Sequence, residues 1–339
     1  MKKVKFGIVG LGRLGIKHAE NIAFSVPEAE LVAVCGLDDV VLEKVKKEWG
    51  VKYTYKNYDE MISNDELDAI FVSSPSGLHC EQIEKALKAG KHVFSEKPLG
   101  TTVEECKVAE KAVEKYGKDL IFMLGFMRRF DPSYKYAKEM VKAGKIGKPF
   151  MFRSYSQDPE SCIEGAIAYA GHSGGEFLDM SVHDIDLARW FMEDEPMQVW
   201  AIGGCYKHQE FGQYNDGDNV SALMKFKNGG MGFLFAGRTA PHGYNVESEI
   251  IGTEGILRIG SVPQKNLVEI LDNSGVRKEC SQDFLERFKE SYVNELKEFV
   301  DCVINNRKPE VTVYDGTNCT KVAYACKESF ETGKLIDIE

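Results

Sequence analysis

Val4-Lys5-Phe6-Gly7-Ile8-Val9-Gly10-Leu11-Gly12-Arg13-Leu14-Gly15 decides the fold of this chain, because a short apolar run here meets a Gly-x-Gly-x-x-Gly pattern. The stretch reads as the first strand, turn and helix start of a dinucleotide-binding unit. Gly10 permits the tight turn, Gly12 lets the backbone approach a pyrophosphate, and Gly15 allows the helix to pack closely on the strand. Arg13 and Leu14, inside the loop, join the candidate nucleotide contacts. Free N–H groups and the partial positive charge of the helix start suit phosphate.

A ribose-binding acid is expected roughly 20 residues further on. After a helix over Arg13 to Ser25, Glu30 to Cys35 reads as the second strand, followed by Gly36-Leu37-Asp38-Asp39. Gly36 takes the usual acidic position, so Asp38 is the candidate, reaching from two residues beyond. Capping of the next helix is the competing role for Asp38 or Asp39. No Arg or Lys lies between Cys35 and Glu43 to accept a 2'-phosphate, and two acids would repel one. NAD is therefore expected rather than NADP.

Working outward, the first 125 residues alternate strand and helix. Strands are expected at Ala69 to Ser73, His92 to Ser95 and Leu120 to Leu124, with helices at Glu81 to Ala89 and Thr102 to Tyr116. Alternation with short connections implies a doubly wound parallel sheet, which binds ligands at the carboxyl ends of its strands. Gly12, Asp38, Ser74-Pro75 and Glu96-Lys97-Pro98 all fall at such ends.

Past a helix over Asp131 to Ala143 and the break at Gly147-Lys148-Pro149 the texture changes. Strand-like runs follow at Phe150 to Ser156, Val199 to Ile202, Val220 to Phe226, Met231 to Phe235, Val246 to Ile251, Ile256 to Ile259 and Leu267 to Leu271. Asn228-Gly229-Gly230 and Asn273-Ser274-Gly275 are hairpin signals between successive members. Helices over Val182 to Met192, Phe284 to Asn305 and Asp315 to Thr332 are expected to cover one face of this large, mostly antiparallel sheet. The expected organisation is an α/β Rossmann domain over residues 1–125 and an α+β domain over residues 126–339, one of whose C-terminal helices can pack back on the first.

At 339 residues the chain is long enough for two cores. Its 43 basic and 53 acidic residues give a net charge of −10 with no basic cluster, which argues against nucleic acid. Apolar runs fall far short of the roughly 20 residues of a membrane span. The start Met1-Lys2-Lys3 followed by Val4 to Leu11 imitates a leader, but glycines, Arg13, Lys17 and His18 interrupt it, so a cytoplasmic protein is expected. Nine cysteines without metal-ligand or disulfide spacing read as small reduced hydrophobes. Asp179, His183 and Asp186 could ligate a metal from one helical face, but no further ligands cluster nearby, and no metal is expected.

Two constellations bear chemistry. Lys97, between a carboxylate and a proline just past a buried strand, would sit beside the nicotinamide, where partial burial suits it to proton transfer. In Gly174 to Phe191, Asp179 and His183 stand four apart and can share one helical side, an arrangement in which a carboxylate orients an imidazole and favours proton acceptance. The competing reading makes Asp179 a helix cap and His183 a core residue.

The fingerprint, Glu96-Lys97-Pro98, Gly125-Phe126-Met127-Arg128-Arg129-Phe130-Asp131 and Asp179-x-x-x-His183-Asp184-x-Asp186 occur together and in this order. The set resembles the glucose-fructose oxidoreductase, inositol dehydrogenase and rhizopine-catabolism (Gfo/Idh/MocA) family over almost the whole chain, and within it the bacterial inositol 2-dehydrogenases. The resemblance implies Lys97, Asp179 and His183 at the catalytic positions, with Arg128 and Tyr244 lining the substrate. Asp158 is a further candidate for a hydroxyl contact. It also implies NAD-dependent oxidation of a cyclic polyol, myo-inositol first, with scyllo-inositol, another sugar or a glycoside as alternatives. A non-catalytic nucleotide-sensing regulator is the rival of another class. A homo-oligomer, commonly a tetramer, is implied through the second sheet. Ser156-Gln157 stands where a well-studied inositol dehydrogenase branch has His-Arg, a change in the polyol pocket.

Overall fold

A computed structural model describes residues 3–260 and 264–338; the Met1-Lys2 start of the leader-like stretch lies outside the described residues. The chain clusters into two compact units, Met1–Met127 with Glu290–Thr320, and Arg128–Lys289 with Lys321–Glu339.

In the first unit the chain runs β1 (Val4–Val9), α1 (Gly15–Phe24), β2 (Ala29–Cys35), α2 (Asp39–Trp49), β3 (Tyr53–Tyr55), α3 (Tyr58–Ile62), β4 (Ala69–Val72), α4 (His79–Lys88), β5 (His92–Glu96), α5 (Val103–Tyr116) and β6 (Phe122–Gly125). Six strands pair in parallel in the order β3-β2-β1-β4-β5-β6. The order reverses beside β1, and such switch points open a crevice at the strand ends. β3 and α3 escaped the sequence reading because three and five residues are too short to display a period. The α5 boundary was legible: Thr102 and Glu105 form a reciprocal capping box.

The second unit contributes α6 (Pro132–Lys142), β7 (Pro149–Pro159), α7 (Ile163–Tyr169), α8 (Glu176–Asp179), α9 (Val182–Met192), β8 (Pro196–Gly204), β9 (Asn219–Phe226), β10 (Met231–Ala240), β11 (Asn245–Gly252), β12 (Ile256–Ile259), β13 (Ile270–Asp272), β14 (Gly275–Arg277) and α10 (Phe284–Arg287). After it come α11 (Lys289–Asn305), α12 (Val313–Thr332) and β15 (Ile336–Asp337). The seven-stranded sheet runs β12-β11-β7-β10-β9-β8-β15 and is antiparallel apart from the β7–β10 pair. Alternate residues of β9 and β10 are buried, and α9 lies on that side, with Phe191 stacked on Phe152 of β7 at 5.9 Å.

Three expectations need correction. Leu267 to Leu271 is not a strand of the large sheet: pairing starts only at Ile270, in a separate two-stranded hairpin with β14. The helix expected over Phe284 to Asn305 breaks at Phe288, whose buried ring meets Tyr244 edge-on at 6.2 Å. Residues 290–320 belong to the first unit rather than covering the second sheet, so of the two placements left to the C-terminal helices it is packing back on the first domain that holds for this stretch. Phe299 of α11 packs on Phe6 and Phe94 at 5.8 and 5.6 Å, and Cys106 contacts Thr320. An amphipathic pattern shows that a helix has an apolar face, not which sheet receives it.

Candidate functional site

The nucleotide end is built on three glycines, each for a different reason. Gly10 adopts φ +87° and abuts the Ser73 backbone, so a Cβ there would be both strained and obstructed. A Cβ on Gly15 would overlap the Gly10 carbonyl, the close helix–strand packing the pattern requires. At Gly12 a Cβ would meet no protein atom, so the missing side chain leaves open space over the loop. No side chain caps the N-terminus of α1. The donors of its first turn therefore suit a pyrophosphate, and the cradle fits a dinucleotide. Arg13 and Leu14 occupy the same loop, as their spacing required.

Asp38 has taken the capping role: its Oδ1 accepts from the Val40 and Val41 N–H groups at 2.8 and 3.4 Å at the start of α2. Capping through one oxygen fixes the carboxylate just past the end of β2. Asp39 pairs with Lys56 at 2.7 Å. Ser74 donates to Gln82 at 2.6 Å, and Pro75 is exposed beside it.

Lys97 follows β5, half-buried between the buried Glu96 and Pro98, and the Lys97-Pro98 peptide is cis. Glu96 accepts the Lys97 backbone N–H at 3.1 Å. His79, missed by sequence reasoning, ties this motif to the neighbouring loop, its ring nitrogens lying 2.8 Å from the carbonyls of Pro98 and Ser74. Burial pushes the His79 pKa down while the two carbonyls pull it up, and burial prevails.

In the second unit Asp179 and His183 are not on one continuous helix. The chain turns at Met180-Ser181, so Asp179 ends α8 and His183 lies in the first turn of α9. Both are half-buried, while Leu178, Met180, Val182 and Asp184 around them are buried. The Asp179 carboxylate receives the Arg238 guanidinium at 2.6 Å. Arg238 also donates to Glu176 at 2.5 Å and lies 3.7 Å from Asp158. The Asp216 carboxylate accepts the Glu176 N–H at 3.1 and 3.0 Å. Burial, with the neighbouring carboxylates of Asp216, Asp179 and Asp158, pushes the Glu176 carboxyl well above the usual range against the pull of Arg238. One strong cation thus holds the half-buried acid of the pair in place.

Arg238, Glu176 and Asp216 were all missed. For Arg238 a signal existed: it shares the inward parity of Gly232, Leu234, Ala236 and Ala240 on β10, where a cation needs a buried partner. The sequence reading ended that strand at Phe235 and so left the parity unused.

Arg128 is neither a surface ion pair nor open to solvent. Its Nη1 donates to Asp184 at 2.6 Å and to Ser156 at 3.1 Å, all three groups being buried. Ser154 and Ser156 also donate to Asp184. Tyr244, buried as well, is linked to Arg128 through its hydroxyl, and burial is the main reason its pKa is raised. Asp186 is committed to Arg129 through two hydrogen bonds, which removes it from any grouping with Asp179 and His183. Among the described residues, three potential metal-ligating side chains come together only at His18, Glu96 and Glu295.

Comparison with known proteins agrees with this construction. The oxidoreductase family Gfo/Idh/MocA, described by its NAD-binding Rossmann fold, matches residues 4–125, and the GFO/IDH/MocA C-terminal domain matches residues 134–258. The scyllo-inositol 2-dehydrogenase (NAD(+)) of Bacillus subtilis is 37% identical, over 99% of this chain and 97% of its own length. The crystal structure of scyllo-inositol dehydrogenase from Lactobacillus casei with bound NAD(H) and scyllo-inositol is 45% identical, with a TM-score of 0.95 over 99% of each chain. That of myo-inositol 2-dehydrogenase from Lactobacillus plantarum is 40% identical, with a TM-score of 0.97 over 100% of each chain. With a nucleotide cradle at one strand end, a reactive-type lysine after β5 and matches to both halves, this chain belongs to the Gfo/Idh/MocA family of NAD-binding oxidoreductases.

Proposed function

We propose that this protein is an NAD-dependent inositol 2-dehydrogenase that oxidises myo-inositol to its 2-keto product. The observation that carries the reading is chain-long likeness to an enzyme holding NAD(H) and an inositol, together with Lys97, Asp179 and His183 in this chain. Gly10, Gly12, Arg13, Leu14, Gly15, Asp38, Ser74 and Pro75 serve the cofactor within a dinucleotide-binding first unit, and Glu96 serves it only indirectly, both its oxygens being held by His18 and the Lys97 peptide. NAD supplies the hydride acceptor. His183 takes the hydroxyl proton, and Asp179, paired with Arg238, favours the imidazolium that results. The Lys97 ammonium hydrogen-bonds the reacting oxygen and steadies its developing negative charge. Asp158 offers a hydroxyl contact, while Arg128 and Tyr244 back the polyol wall.

A second reading, scyllo-inositol, is favoured by the 45% identical relative that holds it. The two substrates differ only in configuration at the carbon oxidised, so both yield one ketone. Initial rates of NAD and NADP reduction with myo-inositol, scyllo-inositol, glucose, xylose and a glycoside test both readings. Turnover of myo-inositol with NAD is expected; turnover of scyllo-inositol alone selects the second reading, and NAD binding without polyol turnover selects the regulator.

The large sheet supports a homo-oligomer. Trp200, Leu223 and Phe233 form one cross-strand row and Ile202 and Phe235 lie on the next, on the side opposite α9. An apolar sheet face of this kind favours association, and we read it as the tetramer contact. Light scattering is expected to give a tetramer mass that falls in Leu223→Asp; a monomeric parent overturns the assignment. Among the described residues no helix is long and apolar enough to cross a membrane. The nine cysteines, none of them in a disulfide, suit the cytoplasm.

A further inference from the structure

Behind the Glu96-Lys97-Pro98 motif lies a polar cluster that the reaction itself does not use. His18 of α1, three residues after Gly15, is fully buried, and its Nε2 lies 2.6 Å from Glu96 Oε1. The other oxygen of Glu96 accepts the Lys97 peptide N–H. Glu295 of α11 is fully buried, with no hydrogen-bond partner at either oxygen, and one ligand-type atom from each residue falls within 4.8 Å of the others. The surroundings are apolar: the His18 ring meets Phe71 at 4.3 Å and Tyr292 at 5.4 Å.

Two carboxylates cannot both stay ionised in such a box without a cation. Burial and Glu96 push the Glu295 carboxyl well above its usual range, so Glu295 is the member that keeps its proton. Glu96 has what Glu295 lacks: an imidazole on one oxygen and a peptide N–H on the other. The short His18–Glu96 separation is that of a hydrogen bond, leaving no room for an ion between these two atoms.

We propose that His18, Glu96 and Glu295 form a buried positioning cluster in which the Glu96 carboxylate ties the phosphate-binding helix to the Lys97 peptide. The proposal rests on the charge-steadying role of Lys97 in the proposed function. Its consequence is that the helix holding the pyrophosphate and the lysine facing the reacting oxygen share one rigid anchor. A small misplacement of Lys97 then costs rate rather than cofactor affinity.

The test is steady-state kinetics of Glu96→Gln and His18→Phe with NAD and whichever inositol the parent oxidises, beside NAD affinity by fluorescence titration and thermal unfolding. In each folded variant kcat is expected to drop at least about tenfold, with NAD affinity within about threefold of the parent. His18→Phe matches the aromatic wall and serves if Glu96→Gln does not fold. A folded His18→Phe or Glu96→Gln with kcat within about twofold of the parent overturns the proposal. So does one equivalent of metal found by elemental analysis of the purified parent. Lys97→Met separates the two readings: its normal turnover would overturn the role of Lys97, whereas an inactive Lys97→Met beside fully active cluster variants overturns the cluster alone.

Discussion

In Lys97→Ala and in His183→Ala, turnover of the inositol is expected to fall roughly 100-fold or more while NAD binding stays nearly intact, the loss typical of a general acid–base group. In the proposed reaction the two residues act at the same oxygen in different ways. Removing His183 removes the acceptor, whereas removing Lys97 removes the positive charge that steadies the alkoxide-like oxygen. Both side chains are half-buried, with buried residues on either side, so truncation opens little of the core. Stability should therefore barely change, and thermal unfolding beside stopped-assay rates separates chemistry from folding. Near-parent turnover in both variants would sink the assignment. Asp179 provides an internal comparison: in the proposed reaction it acts through His183, and it is held by Arg238, so Asp179→Asn should lower kcat less than His183→Ala.

The second large effect is on stability. Asp184→Ala leaves the Arg128 guanidinium buried without its carboxylate. Burial alone would lower the Arg128 pKa, and the Asp184 carboxylate is the main group that reverses this and raises it. Arginine does not shed its proton in proteins, so the stranded charge has no way to neutralise itself. A loss of about 3–5 kcal/mol is expected, read as a lower urea midpoint at an unchanged slope. The hydroxyls of Ser154 and Ser156, which donate to Asp184, would lose their acceptor as well. The double variant Arg128→Met/Asp184→Leu removes both charges and should recover much of that stability, because the desolvation penalty disappears with the attraction. A double variant as unstable as the single would show that shape, not charge, governs this site.

Much of the first unit was legible because its signals are local. Strand period, helix caps and a glycine pattern act over a few residues, and each names a backbone requirement that few residue types meet. Gly10 with its positive φ and Gly15 against a carbonyl stand as their spacing implied. Asp38 was only half legible: one carboxylate suits a cap and a ribose equally, and the structure assigns the cap to one oxygen.

What the sequence by itself determined is therefore the class of the molecule: a parallel nucleotide-binding sheet, a mostly antiparallel second sheet, and the candidates Lys97, Asp179 and His183. Tertiary structure alone decided which partners hold them. Arg238 reaches Asp179 across 59 residues of chain, Glu295 joins His18 and Glu96 from a helix whose sheet the sequence left open, and Asp184 rather than solvent receives Arg128. The reason is physical. A buried charge is tolerated only beside its counter-charge, and that pairing is set by the packing of distant elements, which no local period encodes.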